Sequence, residues 1–439
     1  MYFARQYKQK TMYNCNIYIM QKEYLELTSF LSKNVFNEIS IDKKQTQFSS
    51  TSNIMMHQLL NNLSYVDRTY NSNNITTEHL DLKNDKLPKG VDYKYCPQPI
   101  RNEIESMRKV GARYKFRINS RTFNVVLICS DKLDNVRRFM NQSIKQIYMW
   151  LYTASQYAST NCSEQMNIYL YLTALPKMLP IKGKTISQVN ANTAFTTSCK
   201  PSTEINLFRH EEWFKTFIHE TFHNMGLDFS AYNNNAIDKE ILTMFPVNVD
   251  VRLYETYCET WAELLAVTFN VYRSMRRNTS IEDINSKIPK MVETVEKLLV
   301  IELKHALFQV AKILSHYDLK YEELVEHNNS LQLSTQCNYK EDTPVLSYYI
   351  IRSILIFNID SFVLWCSRNN NMSISFAQMS TRENINEKMI KYCKLIRDQY
   401  MNPDYIYQVN SIQNAIKKIK PIPKNKYILE NLRMTITEY

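Results

Sequence analysis

The chain has 439 residues, a formal net charge of +11 and an apolar fraction of 44%, enough for two or three domains with a sizeable core. Its nine cysteines (Cys15, Cys96, Cys129, Cys162, Cys199, Cys258, Cys337, Cys366 and Cys393) are scattered, odd in number and without a C-x-x-C pair. That pattern argues against a disulfide framework or a cysteine zinc knot, and for a reducing, cytoplasmic compartment.

Residues 1–90 are polar and mixed, with a short helix expected over 21–31 and no apolar signal core in Met1-Tyr2-Phe3-Ala4-Arg5-Gln6. The stretch 71–89, rich in Asn, Thr, Asp and Lys and closed by Pro88-Lys89-Gly90, reads as a linker. From 91 the pattern tightens. Residues 113–119 and 123–129 read as two strands of a hairpin turning at Asn119-Ser120-Arg121. A helix is expected over 131–159, with Asp131 as N-cap and Leu133, Val136, Phe139, Met140, Ile144, Ile147 and Leu151 at helical spacing. Residues 166–173 read as a buried strand, 179–187 as a basic turn around Gly183, 188–198 as an exposed strand and 204–208 as another. Two helices follow, over 210–225 and 251–272. Beyond 280 the chain reads as almost wholly helical, over 291–315, 345–366 and 383–401. The expected fold class is α+β, in three regions: 1–90, a compact core over 91–280, and a helical domain over 281–439.

Residues 345–366 are long enough to span a bilayer, but Arg352, Asn358 and Asp360 are costly in lipid, so a buried helix is expected and no membrane span. Basic residues cluster at Arg273, Arg276 and Arg277, and at Lys417, Lys418, Lys420, Lys424 and Lys426. They read as a solvated face and tail, or as a weak site for an anionic partner.

The residues that carry chemistry are His219-Glu220-Thr221-Phe222-His223. Residues four apart share one helical face, so both histidines can reach one metal ion, with Glu220 beside them to hold and deprotonate a water. A chance H-E-x-x-H in a chain with so few histidines has a probability on the order of 1%. Gly226, one of only four glycines, stands three residues after His223, where a left-handed helix stop belongs. A catalytic zinc site needs a third protein ligand and an open position. The metzincin continuation fails because Phe229 stands at its ligand position, and an aspzincin pattern fails because no glycine follows Gly226. The helix 251–272 offers Glu255, Glu259 and Glu263, four residues apart on one face of an otherwise apolar element.

This pair of helices resembles the gluzincins, the thermolysin-like zinc peptidases, whose second helix carries a ligand glutamate followed four residues later by an acidic residue that orients a histidine. The resemblance implies a zincin-like core of a small mixed sheet, a zinc helix and a glutamate helix. Glu259 with Glu263 fits that spacing, and Glu255 with Glu259 fits it equally by number. Glu259 is favoured as the ligand because Trp261-Ala262-Glu263 leads directly into the apolar run Leu264-Leu265-Ala266-Val267 and so places Glu259 deeper. Asn190-Ala191-Asn192-Thr193-Ala194-Phe195 is similar to the edge strand on which such enzymes lay their substrate, and puts Asn192 and Ala194 there. The family's oxyanion donor points to a tyrosine, with Tyr254 selected over Tyr257 and Tyr232. The phrase H-E-T-F-H-N-M-G-L-D-F and the helical C-terminal half are also similar to predicted metallopeptidases of large DNA viruses. The function implied is a zinc-dependent peptidase acting on polypeptides in the cytoplasm or in a virion. The competing expectation is a structural virion or interaction protein with an incidental zinc site.

Overall fold

The computed structural model describes residues 15–41, 43–84, 86–107, 109–130, 136–326, 338–376, 382–420 and 422–438. The expected N-cap Asp131, the stretch from Met1 to Gln6, and Cys337 lie outside the described residues. In chain order the elements are α1 (Cys15–Asn34), α2 (Ser50–Thr69), β1 (Thr76–Leu80), α3 (Gln98–Ser106), β2 (Lys109–Ile118), β3 (Arg121–Ser130), α4 (Val136–Ser155) and β4 (Gln165–Thr173). Then come α5 (Gln188–Ala191), β5 (Ala194–Thr196), β6 (Ser202–Arg209), α6 (Trp213–Asn224), α7 (Asn235–Met244) and α8 (Leu253–Arg276). The remainder is helical: α9 (Ile288–His316), α10 (Tyr321–Val325), a π-helical turn (Leu346–Ile351), α11 (Arg352–Phe357), α12 (Ile359–Asn369), α13 (Arg382–Arg397), α14 (Pro403–Lys418) and α15 (Pro423–Glu430).

The architecture is α+β, with one mixed six-stranded sheet in the order β1-β2-β3-β4-β6-β5. β2 and β3 form the expected hairpin, with Asn119 in the left-handed region (φ 52°) at its turn. β3, β4 and β6 run parallel and are almost continuously buried, as interior parallel strands must be. Along β3 the side chains alternate between two cores. Val125, Leu127 and Cys129 face the large one, while Val126 and Ile128 face a small one closed by Tyr93, Ile100 and Ile104. The large core runs from Phe30 to Ile436, so the three regions read from the sequence share one apolar cluster.

Several elements depart from expectation. The 71–89 stretch contains β1, an exposed edge strand paired to β2. Within 188–198 only Ala194–Thr196 is a strand, and Asn192 instead follows the single turn α5. Residues 345–366 are not one helix. They form a π-helical turn, α11 and α12, with a 90° bend between the two halves, and among the described residues no single helix is long and apolar enough to cross a membrane. Burial of Arg352 against Glu263 and the break at Asn358 account for the polar residues that made a span costly. Two cysteines expected as free thiols, Cys162 and Cys199, are joined in a disulfide, with Cα atoms 4.8 Å apart.

Candidate metal centre

α6 is buried along its whole length, and both of its ends are fixed by specific groups. At the N-terminus the backbone N–H groups of Phe214 and Lys215 donate to the Glu438 carboxylate at 2.7 and 2.8 Å, satisfying donors that a helix start leaves unpaired. At the C-terminus Leu227 N–H reaches back to Phe222 O at 2.8 Å and Gly226 takes φ +62°, the left-handed stop expected there. A Cβ on Gly226 would meet Cys162 Sγ at 3.0 Å, so the disulfide packs directly on the helix end.

α6 and α8 lie side by side. They bring together His219 Nε2, His223 Nε2 and Glu255 Oε2, with separations of 3.1, 3.1 and 3.2 Å. The third corner expected at Glu259 is therefore Glu255, one helical turn earlier. Glu259 instead places Oε1 3.2 Å from His219 Nδ1, on the far side of the ring, and pairs through Oε2 with the buried Lys215. Glu263, expected to orient a histidine, is held by Arg352 at 2.7 Å and touches neither imidazole. The depth argument failed because Glu255 and Glu259 are equally buried, at 7% exposed each, and Glu259 and Glu263 are neutralised by Lys215 and Arg352, cations contributed by α6 and α11.

Each histidine has a carboxylate behind it, Glu259 at 3.2 Å from His219 Nδ1 and Asp228 bonded to His223. His223 Nδ1 is 2.5 Å from Asp228 Oδ2, and Asp228 is itself held by the Ser230 hydroxyl at 3.0 Å. With each Nδ1 facing a carboxylate, the Nε2 atoms turn their lone pairs toward each other and toward the Glu255 oxygen. Such an array needs a positive charge at its centre. A tetrahedral ion with bonds of roughly 2.0–2.1 Å spaces its ligand atoms roughly 3.3–3.4 Å apart, close to what is found. Buried His219, His223, Glu255 and Asp228 can thus hold a metal ion.

In the metal-free chain protons take that role. Burial opposes charge on His219, yet Glu259 and Glu255 hold its pKa up, to about 9. Burial likewise opposes Glu255, but the two imidazoles keep its carboxyl well below the usual range. Glu220 moves the other way: burial raises it, against the pull of His219 and His223.

Glu220 opens into a small, half-open pocket bounded by Asn192 after α5, Ala194 from the sheet edge, Thr216 and His219 from α6, Tyr348 and Met434. Tyr348 was not singled out from the sequence. Its ring stands edge-on to His219 at 6.1 Å, and burial followed by the charges of Glu255 and Glu220 raises its pKa well above normal, so it stays protonated. It sits in the π-helical turn, a distortion often found at functional sites. Tyr254, selected from the sequence, packs edge-on to His223 at 5.9 Å and against Phe229, with its pKa pushed up to about 12 by burial and then by Glu255. It does not line the Glu220 cavity. A larger cavity, of about 460 Å³, lies on the Asp228 side of His223 beside the disulfide, away from Glu220.

The basic clusters are partly used within the fold. Arg273 binds Gln146, Arg276 binds Asp67, and Lys424 pairs with Glu26. No family model, curated protein or solved structure matches the chain.

Proposed function

We propose that the chain is a zinc-dependent peptidase with a zincin-like core, its metal held by His219, His223 and Glu255. The observation that carries this reading is the triangle of two Nε2 atoms and one carboxylate oxygen, with Glu220 adjoining it. The strand order adds support: the antiparallel edge strand β5 lies beside the helix that bears the histidines. Donors of two imidazoles and one carboxylate leave a tetrahedral ion one position for water or substrate, which is the composition of a catalytic zinc site. Zinc there supplies Lewis acidity toward a water and a carbonyl oxygen.

The chain's own residues supply the rest. Glu220 accepts the proton of the attacking water and delivers it to the leaving amine. Its raised pKa suits a group that must hold a proton between the two steps. The Tyr348 hydroxyl, protonated at any physiological pH, donates to the oxygen on which negative charge develops. Asp228 and Glu259 keep the imidazoles aimed. An extended peptide can add to the outer edge of β5 at Ala194, which places a scissile bond near Glu220.

Glu220→Gln tests the reading. The variant should bind one zinc per chain and lose hydrolysis, whereas His219→Ala and His223→Ala should lose both. Undiminished hydrolysis by Glu220→Gln refutes the mechanism. A second reading, a non-catalytic protein with a structural metal, is favoured by one observation: His219, His223, Glu220 and Glu255 are each under a tenth exposed. It requires that zinc-loaded protein cleave no peptide and that removal of zinc lower stability alone.

A further inference from the structure

We propose that Arg209 is the positioning residue of the substrate edge: its guanidinium fixes the segment leading into β5, and so holds the outward backbone groups of Ala194 beside Glu220. The inference rests on the peptidase reading and adds the group that orients an extended substrate. Arg209 closes β6, is 2% exposed, and among the described residues no carboxylate bonds it. Buried cations are ordinarily paired with an anion, so an unpaired one raises the question of what its donors hold.

They hold four carbonyls from three stretches of chain. Nε donates to Asn192 O at 3.0 Å, Nη2 to Val189 O at 2.5 Å, and Nη1 to Leu175 O at 3.0 Å and Pro176 O at 2.7 Å. Leu175 and Pro176 follow β4, Val189 lies in α5, and Asn192 joins α5 to β5. One planar fork, with donors in fixed directions, spans all three. A lysine ammonium presents its three donors from a single nitrogen and does not reproduce that geometry. The Asn192 side chain is fixed in addition, its Oδ1 accepting from the Thr343 hydroxyl at 2.7 Å.

The β5 ladder shows what this fixes. β5 has three residues and pairs with β6 as Ala194↔Leu207, Phe195↔Asn206 and Thr196↔Ile205. Phe208 N–H donates to Thr193 O at 3.0 Å, and Thr197 N–H to Glu204 O at 3.2 Å. In an antiparallel ladder such bonds fall on alternate residues. Thr193, Phe195 and Thr197 therefore turn their backbone groups toward β6, while Ala194 and Thr196 turn theirs to the outer edge of the sheet. Ala194 borders the pocket at Glu220, so its N–H and C=O are the pair that an extended peptide meets there. A strand of three residues has little of its own to fix where it begins, and the guanidinium supplies that. Arg209 does not line the pocket, so it acts through the strand and not on the reacting atoms.

The test uses zinc-loaded full-length protein and two hydroxamates, with binding followed by calorimetry. Acetohydroxamate reaches the metal alone, and tri-alanine hydroxamate can also lie along β5. Two added backbone hydrogen bonds at Ala194 are worth about tenfold, so the parent chain should bind tri-alanine hydroxamate ~10-fold more tightly. Arg209→Lys should remove that advantage and leave acetohydroxamate affinity and zinc affinity unchanged. In hydrolysis the same variant should raise KM about 10-fold at unchanged kcat, the mark of binding lost equally from ground and transition states. A purely structural loss would move zinc affinity and kcat as well. Ala194→Pro removes one outward N–H, leaves every bond of Arg209 in place, and should also weaken tri-alanine hydroxamate alone. Equal weakening of both hydroxamates in Arg209→Lys, or of neither, overturns the proposal. So does tri-alanine hydroxamate binding the Ala194→Pro chain as tightly as the parent, even where Arg209→Lys does not fold. If the parent binds both compounds equally, the β5 edge takes no substrate, and the proposal falls while the metal site stands. If neither binds the zinc-loaded parent, the open coordination position fails and the peptidase reading goes with it.

Discussion

Replacing Glu255 and Glu259 one at a time by glutamine separates the carboxylate that faces the metal position from the one behind a histidine. Glu255 Oε2 lies 3.1 and 3.2 Å from the two Nε2 atoms, so Glu255→Gln removes the one anionic corner of the triangle. Zinc affinity should fall by more than ~1000-fold, beyond the roughly 10–100-fold typical of a group that only orients a ligand. Glu259→Gln should stay within that roughly 10–100-fold, or about 1.4–2.7 kcal/mol. Stability should change in the opposite order. Glu259 is the partner of Lys215, which is 1% exposed. Leaving such a cation unpaired costs about 3–5 kcal/mol, reduced here by the neighbouring Glu212. Glu255→Gln should cost less in metal-free protein, because the two imidazoles can shed protons once the carboxylate is gone. Competition against a fluorescent chelator gives the affinities, and denaturant melts in excess chelator give the stabilities. A larger loss of zinc in Glu259→Gln than in Glu255→Gln would refute the assignment and return the ligand role to Glu259.

Tyr348→Phe should lower kcat by roughly 10²–10³ with zinc content unchanged, as for loss of an oxyanion donor, while Tyr254→Phe should change kcat only a few-fold. The reverse order in a steady-state assay would transfer the role to Tyr254. Zinc loading at pH 7 should release about one to two protons, because His219, with its pKa held up to about 9, is protonated before the metal enters. Affinity should therefore weaken as pH falls below about 9. Calorimetry in two buffers of different ionisation enthalpy counts the protons, and a count of zero contradicts the site. Reducing Cys162–Cys199, which closes a loop with a sequence separation of 37, should lower stability by about 3–4 kcal/mol. Identical denaturant midpoints with and without reductant would argue against the bond.

The helix that bears both histidines was legible in the sequence because its signal is local. His219 and His223 are four apart, and Gly226 marks the stop by its conformational freedom. The central strands β2, β3, β4 and β6 were legible for the same reason. The choice among Glu255, Glu259 and Glu263 was not. All three share a helical face, and only the axial offset between α6 and α8, set by their packing, decides which one meets the histidines. Lys215 and Arg352 were the available signal, since two cations heading for the interior must each claim a carboxylate. Tyr348 was hidden inside an apolar run whose break into a π-helical turn leaves no mark in hydropathy. Asn192 was read as strand because polar alternation does not distinguish a short strand from the single turn that precedes it. The disulfide joins cysteines brought together only by the sheet and the end of α6, and no spacing rule anticipates that.

The carboxylate that caps the start of α6 lies 224 residues downstream of Phe214, whose N–H it accepts. At a synthesis rate of roughly 5–20 residues per second, about 10–45 seconds separate the making of α6 from the making of its cap. Through that interval the histidines exist, but the C-terminal segment that binds Glu212 and Glu302 and brings Glu438 to the start of α6 does not. A growing chain therefore carries both histidines before the helix that bears them is capped. Firm seating of the helix that carries both histidines therefore waits on a segment made 224 residues later.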